Sequence, residues 1–257
     1  MDLGLKGKKA IVTGGTRGIG RAIAELLAEE GCDVAICARN ADQIADAVKE
    51  MADRHGTRIW GEVADIADAD SLKGFITRAG EELGGIDVLV SNASALAIGN
   101  AEDAWQNGLS IDILGAVRSV DAALPRLKAS AEKTGDAAII CIGSVSSVSA
   151  TEPSAYGAVK GAMVHYVKGL AKKLAPEHVR ANVVSPGTVY FKGGVWHMVE
   201  ENMPEIFKEN LGRNPMGRMA TPEDIANATV FLASPRSCFT TGINMLVDGA
   251  ITDRVNY

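Results

Sequence analysis

Tyr156 and Lys160, four positions apart in "SAYGAVK" (154–160), are the residues of this sequence with the clearest chemical potential. In a helix the i to i+4 spacing puts both side chains on one face, about one turn apart. A free phenol gives up its proton only near pH 10, but a neighbouring cation favours the phenolate. Such a pair could pass a proton to or from a substrate oxygen. Taken alone, the motif also fits a tyrosine at the edge of the core beside a solvated lysine, so the rest of the chain has to decide.

A second stretch, "TGGTRGIG" (Thr13–Gly20), ends one apolar run and opens into a helical stripe of Ile19, Ala22, Ile23, Leu26 and Leu27, with Gly31 at the C-terminal cap position. Glycines let the backbone turn tightly against a ligand, and the free N–H groups and positive dipole end of the helix attract phosphate. From Gly14 the spacing is Gly-x3-Gly-x-Gly, which differs from the usual GxGxxG fingerprint. At the end of the next run, "CARN" (37–40) supplies Arg39 and no carboxylate for an adenosine ribose, and Arg17 adds a second cation. Two guanidinium groups suit a 2′-phosphate. NADP(H) is therefore expected over NAD(H).

The elements that must position these residues follow from periodicity. Apolar runs at 9–14, 33–39, 58–65, 86–93, 137–144, 180–187 and 242–249 alternate with longer segments of helical period. Strands without polar alternation, each followed by an amphipathic helix, imply a parallel sheet covered on both faces. The expectation is one α/β, doubly wound domain over 1–257 with seven parallel strands. Only 188–224 breaks the rhythm: it is rich in aromatic residues and methionine and has no strand of its own. Connections of this length are usually lids or inserted helices, and the lid is placed at about 188–214. Its Tyr190, Phe191, Val195, Trp196, Met198, Met203 and Phe207 suit a hydrophobic or aromatic ketone, or packing of the lid on itself or on a second subunit.

Composition bounds the rest. The 257 residues are 47% hydrophobic and 23% charged with a formal net charge of −6, which argues against nucleic acid or an anionic membrane as partner. No apolar run approaches the ~20 residues that span a bilayer, and the start has no apolar signal core, so a cytoplasmic location is expected. Cys32, Cys37, Cys141 and Cys238 and the four histidines show no metal-ligand spacing, and no metal is expected.

With "TGGTRGIG", "SNAS", Ser144, "YGAVK" and "SPGT" in this order, the sequence closely resembles the classical short-chain dehydrogenases/reductases over essentially its whole length, 3-oxoacyl thioester reductases among them. The resemblance implies a single Rossmann-like domain, commonly a homotetramer or homodimer, acting on a small carbonyl or alcohol substrate. Tyr156 would be the acid/base, Lys160 would favour its phenolate and bind the nicotinamide ribose, and Ser144 would hydrogen-bond the substrate oxygen. Ser146, Ser147 and Ser149 are rivals; Ser144 is preferred because it ends the apolar strand. Gly14, Thr16, Arg17, Gly18, Ile19 and Gly20 would hold the phosphates, Asp65 and Ile66 the adenine, Asn92 and Ala93 the strand end beside the cofactor, and Pro186, Gly187 and Thr188 the nicotinamide. Two positions depart from the family. Asp112, in "SIDILG", stands where an asparagine usually helps hold a water linked to the lysine, and is counted with the catalytic set. Ser94 replaces a more usual glycine. A carbonyl/alcohol oxidoreductase is the expected function; the alternatives are an NADP(H)-binding sensor or scaffold without turnover, and an enoyl reductase, whose tyrosine and lysine are spaced more widely.

Overall fold

The computed structural model describes residues 2–150 and 152–255. Strands β1 (Lys9–Thr13), β2 (Asp33–Ala38), β3 (Ile59–Val63), β4 (Val88–Ser91), β5 (Ala137–Ile142), β6 (Val179–Pro186) and β7 (Asn244–Val247) form one sheet in the order β3-β2-β1-β4-β5-β6-β7. All six pairings are parallel. The order reverses between β1 and β4, and in such sheets a ligand sits in the crevice outside the carboxyl ends at that switch point.

Helices cover both faces because successive strand side chains point to opposite sides. Ile11, Leu89, Ile139 and Cys141 face one core, which they share with α3 (Ala69–Leu83), α5 (Gly115–Thr134) and α6 (Ala155–Leu174). Ala10, Val12, Val88, Val90 and Ile140 face the other, shared with α1 (Gly18–Glu29), α2 (Ala41–His55) and α9 (Pro222–Ala233). Both sides of each central strand must therefore be apolar, which is why these runs carry no alternation. Burial pushes the thiols of Cys32, Cys37 and Cys141 up to about 12, so all three are neutral core side chains.

Local signals fix the helix ends. Asn40, Asp68 and Ser154 accept backbone N–H bonds at the starts of α2, α3 and α6. Gly31 (φ +87°) closes α1: its N–H donates to the Ala28 carbonyl and that of Cys32 to Leu27, the paired bonds of a Schellman motif. Between β4 and β5, α4 (Glu102–Asn107) runs into a π-helical turn, Gly108–Leu114, and then into α5. The segment after β6 carries α7 (Val195–Asn202) and α8 (Pro204–Gly212). A parallel bridge from Val189 to Ala220 closes this segment on itself, and Val189 and Phe191 pack against the core shared by α1, α2 and α9.

At the amino ends of β5 and β6, remote from the switch point, Arg180 is 3% exposed and donates to both Asp136 oxygens, at 2.6 and 3.1 Å. It also donates to the carbonyls of Leu232 (2.6 Å) and Ser234 (3.1 Å) at the end of α9. Removing one partner of a buried ion pair leaves an uncompensated charge, at a cost of about 3–5 kcal/mol. Asp136→Ala is thus predicted to lower the unfolding free energy by about that amount in urea titrations; an unchanged midpoint would mean the carbonyls alone satisfy the guanidinium.

Candidate active site

The glycine loop lies between β1 and α1. Gly14 (φ +66°) and Gly18 (φ +55°) take left-handed backbone that other residues rarely adopt. At Gly20 the constraint is space: a Cβ would sit 2.2 Å from the Gly14 carbonyl oxygen and 2.4 Å from Asn92 Nδ2. Gly15 packs on Ile36 and donates to the Cys37 carbonyl at 3.2 Å, which sets the loop against the end of β2. Exposed Arg17 and Arg39 thus rise from adjacent strand ends. The first amides of α1 have no partner within the helix. Tight glycines, free amides and two cations fit a dinucleotide bearing a phosphate on its ribose.

Across the switch point, Asn92 braces this loop. Its Nδ2 donates to the carbonyls of Thr13 (2.9 Å) and Gly14 (3.2 Å), while the N–H groups of Asn92 and Ala93 donate to the Thr13 hydroxyl at 3.0 and 3.2 Å. Thr13 was not singled out from the sequence, although a polar residue ending the run "KAIVT" is a usable signal. Asp65 is exposed after β3, its carboxylate accepting the Ala67 N–H at 2.9 Å, and Ile66 packs where a Cβ at Gly115 would come within 2.5 Å. The Gly187 N–H donates to the Val247 carbonyl (3.0 Å), and a Cβ there would be 2.9 Å from the Asp248 backbone. Pro186 is buried at the end of β6, and the Thr188 hydroxyl donates to Asn214 Oδ1 at 3.0 Å.

Tyr156 and Lys160 both lie on α6, as the spacing requires. The lysine Nζ is 5.6 Å from the centre of the tyrosine ring. Ser154 starts the helix, and small residues let it approach the turn after β5: a Cβ at Gly157 would be 3.0 Å from the Ser146 carbonyl. Ser144, 8% exposed, ends that strand, and its Oγ accepts the Ser146 N–H at 3.1 Å. Of its rivals, Ser147 donates its hydroxyl to the Ser144 carbonyl (2.7 Å) and Ser149 is exposed. Lys160 is 1% exposed; Nζ donates to the Ile142 carbonyl at 2.9 Å and lies 2.9 Å from Asp112 Oδ1. Beneath it, burial raises the Cys141 thiol and outweighs the opposing pull of the lysine charge. The carboxylate of Asp112 is the only acidic group of the described residues in ion-pair contact with Lys160.

The segment expected as a lid partly packs on itself. The Tyr190 ring meets Phe207 edge-on at 5.8 Å and lies 6.1 Å from His197, and its hydroxyl donates to Glu200. Phe191 behaves differently. Its ring fills the space over Gly18, where a Cβ would be 2.5 Å from Cζ, and over Gly194, where it would be 2.7 Å from Cε1. The sequence marks Phe191 as apolar but carries no sign that it rests on the phosphate loop.

Comparison with known proteins gives the same outline. A family model described as "Enoyl-(Acyl carrier protein) reductase" matches residues 14–252. The chain is 37% identical over 255 residues to isoepoxydon dehydrogenase of Penicillium expansum, covering 98% of this chain and 97% of that one. It is 30% identical to the 3-oxoacyl-[acyl-carrier-protein] reductase of Chlamydia pneumoniae, covering 98% and 100%. Among solved structures, L-sorbose reductase from Gluconobacter frateurii, complexed with NADPH and L-sorbose, superposes with a TM-score of 0.90 at 28% identity, covering 99% of this chain and all of that one. Other solved relatives are likewise NADPH or NADP complexes. The chain belongs to the short-chain dehydrogenase/reductase family and is an oxidoreductase.

Proposed function

We propose that the protein interconverts a carbonyl and a secondary alcohol with NADP(H), with Tyr156 as the acid/base. The observation that carries this reading is the buried Lys160 held under the Tyr156 ring, one strand end from Ser144 and across the switch point from the glycine loop. Gly14, Thr16, Arg17, Gly18, Ile19 and Gly20 would hold the phosphates, with Arg17 and Arg39 at the 2′-phosphate. Asp65 and Ile66 would border the adenine, Asn92 and Ala93 the strand end, and Pro186, Gly187 and Thr188 the nicotinamide. The dinucleotide, when bound, supplies or accepts the two electrons of the reaction.

The protein's own groups manage the oxygen and its proton. In the reducing direction Tyr156 gives its hydroxyl proton to the substrate oxygen while the Ser144 hydroxyl hydrogen-bonds that oxygen. The Lys160 ammonium stabilises the phenolate left behind. In oxidation the phenolate takes the proton back. The four-residue spacing supports carbonyl over enoyl chemistry, as do the dehydrogenase and ketone reductases among the relatives. The exposed Met198 on α7, Ile206 on α8 and Met203 between them support a substrate with apolar surface, a 3-oxoacyl-type ketone included, or a second subunit; a cytoplasmic homotetramer or homodimer fits this reading. Among the described residues no helix is long and apolar enough to cross a membrane.

Turnover is tested by following NADPH and NADH oxidation over a panel of ketones, diketones, sugars and acyl-thioester analogues. Tyr156→Phe should reduce kcat by about 10²–10⁴-fold with NADPH affinity little changed; retained turnover would remove Tyr156 from the chemistry. Arg39→Asp should lower the NADPH over NADH preference by about tenfold or more, the value of one charge-assisted hydrogen bond. An unchanged preference would place the 2′-phosphate elsewhere. NADPH binding without turnover on any member of the panel would instead favour a sensor.

A further inference from the structure

Asp112 is itself 1% exposed, yet it meets two donors. Oδ1 faces the Lys160 ammonium at 2.9 Å in a charge contact whose angles are not those of a hydrogen bond, so that this oxygen makes no hydrogen bond at all. Oδ2 accepts the backbone N–H of Ala95 at 3.0 Å. The π-helical turn Gly108–Leu114, with its wider backbone spacing, carries the carboxylate between them.

Ala95 begins a short loop whose other end is also tied to α6, because the Gly99 carbonyl accepts the N–H of Ala155, next to Tyr156, at 2.9 Å. Between the two ties, Leu96 takes φ +48°, a conformation unfavourable for a branched side chain, and the Ile98 N–H donates to the Leu96 carbonyl at 2.8 Å. Leu96 and Ile98 are 47% and 69% exposed. A strained loop with two exposed apolar side chains, whose end is tied next to the reacting tyrosine, needs a firm anchor, and Asp112 is that anchor at its first residue.

We infer that Asp112 is a positioning residue that clasps Lys160 with one oxygen and the Ala95–Gly99 loop with the other, so that the loop is held as a wall of the substrate site. Both partners are donors, and a carboxylate offers two acceptor oxygens where an amide offers only one. With asparagine at 112, the ammonium attracts the negative end of the amide dipole and repels its NH₂, which keeps the amide oxygen on Lys160. The amide NH₂ then faces the Ala95 N–H, and the loop is released. The inference rests on the placement of Tyr156 and Lys160 in the active site, and its first readout does not depend on turnover.

That readout is hydrogen exchange of Asp112→Asn in the full chain. The Ala95 amide should exchange about tenfold or more faster than in the unaltered protein, the effect of losing its hydrogen bond to the carboxylate, while β4 is unchanged. With an active substrate in hand, its KM should rise by a similar factor with a smaller change in kcat. Asparagine has the same shape as aspartate, so a space-filling role would leave both quantities where they were. Exchange at Ala95 equal to that of the unaltered protein would overturn the inference. So would an unprotected Ala95 amide in the unaltered protein, a measurement that stands even if the variant fails to fold. Failure of the oxidoreductase reading would show separately, as an absence of turnover in the unaltered protein.

Discussion

An ammonium cannot be taken out of water without partners, because effective desolvation costs about several kcal/mol per ion. Lys160 is nevertheless at 1% exposure, and the centre of the molecule is arranged around that fact. The last carbonyl of β5 accepts one of its hydrogens, and the carboxylate of the π turn balances its charge. To bring these together, α6 must lie close against the end of β5, and the helix after β4 must widen by a π turn. The active-site geometry is in this sense the solution to a solvation problem.

The same economy holds at the switch point. A single amide, Asn92, ties the end of β4 to the last carbonyls of β1, while Gly20 leaves no room even for a methyl group. Strand order and ligand crevice are thereby locked together. A dinucleotide-binding loop in this fold is part of the sheet's own bracing and not an appendage to it.

Much of this was legible in the sequence, for identifiable reasons. The runs lacked alternation because the central strands are buried on both faces, and all seven became strands in one parallel sheet, with β3 and β7 as its partly exposed edges. All the strands but β6 proved shorter than the runs; after β4 the outer residues leave the ladder, Asn92 and Ala93 bonding the Thr13 side chain instead. The i to i+4 pair was readable because its spacing is local. Contacts across the chain were not. Nothing near "SIDILG" announces the Ala95 amide 17 residues earlier, and nothing in "VYFKGG" announces Gly18. The self-packing of Tyr190, His197 and Phe207 likewise depends on how two lid helices fold back, which periodicity does not specify.

Phe191 carries a consequence for how such proteins can diverge. Its ring is seated between a glycine of the phosphate loop and the glycine at the start of α7, so the root of the variable segment and the cofactor loop share one contact surface. The segment after β6 is therefore not an independent cassette. Recombination that exchanged residues 195–212 alone would keep this seat, whereas a crossover between β6 and Phe191 would separate an aromatic ring from the two glycines shaped to receive it. Changes within α7 and α8 can thus leave the glycine loop undisturbed, whereas a change at Phe191 reaches both that loop and the start of α7.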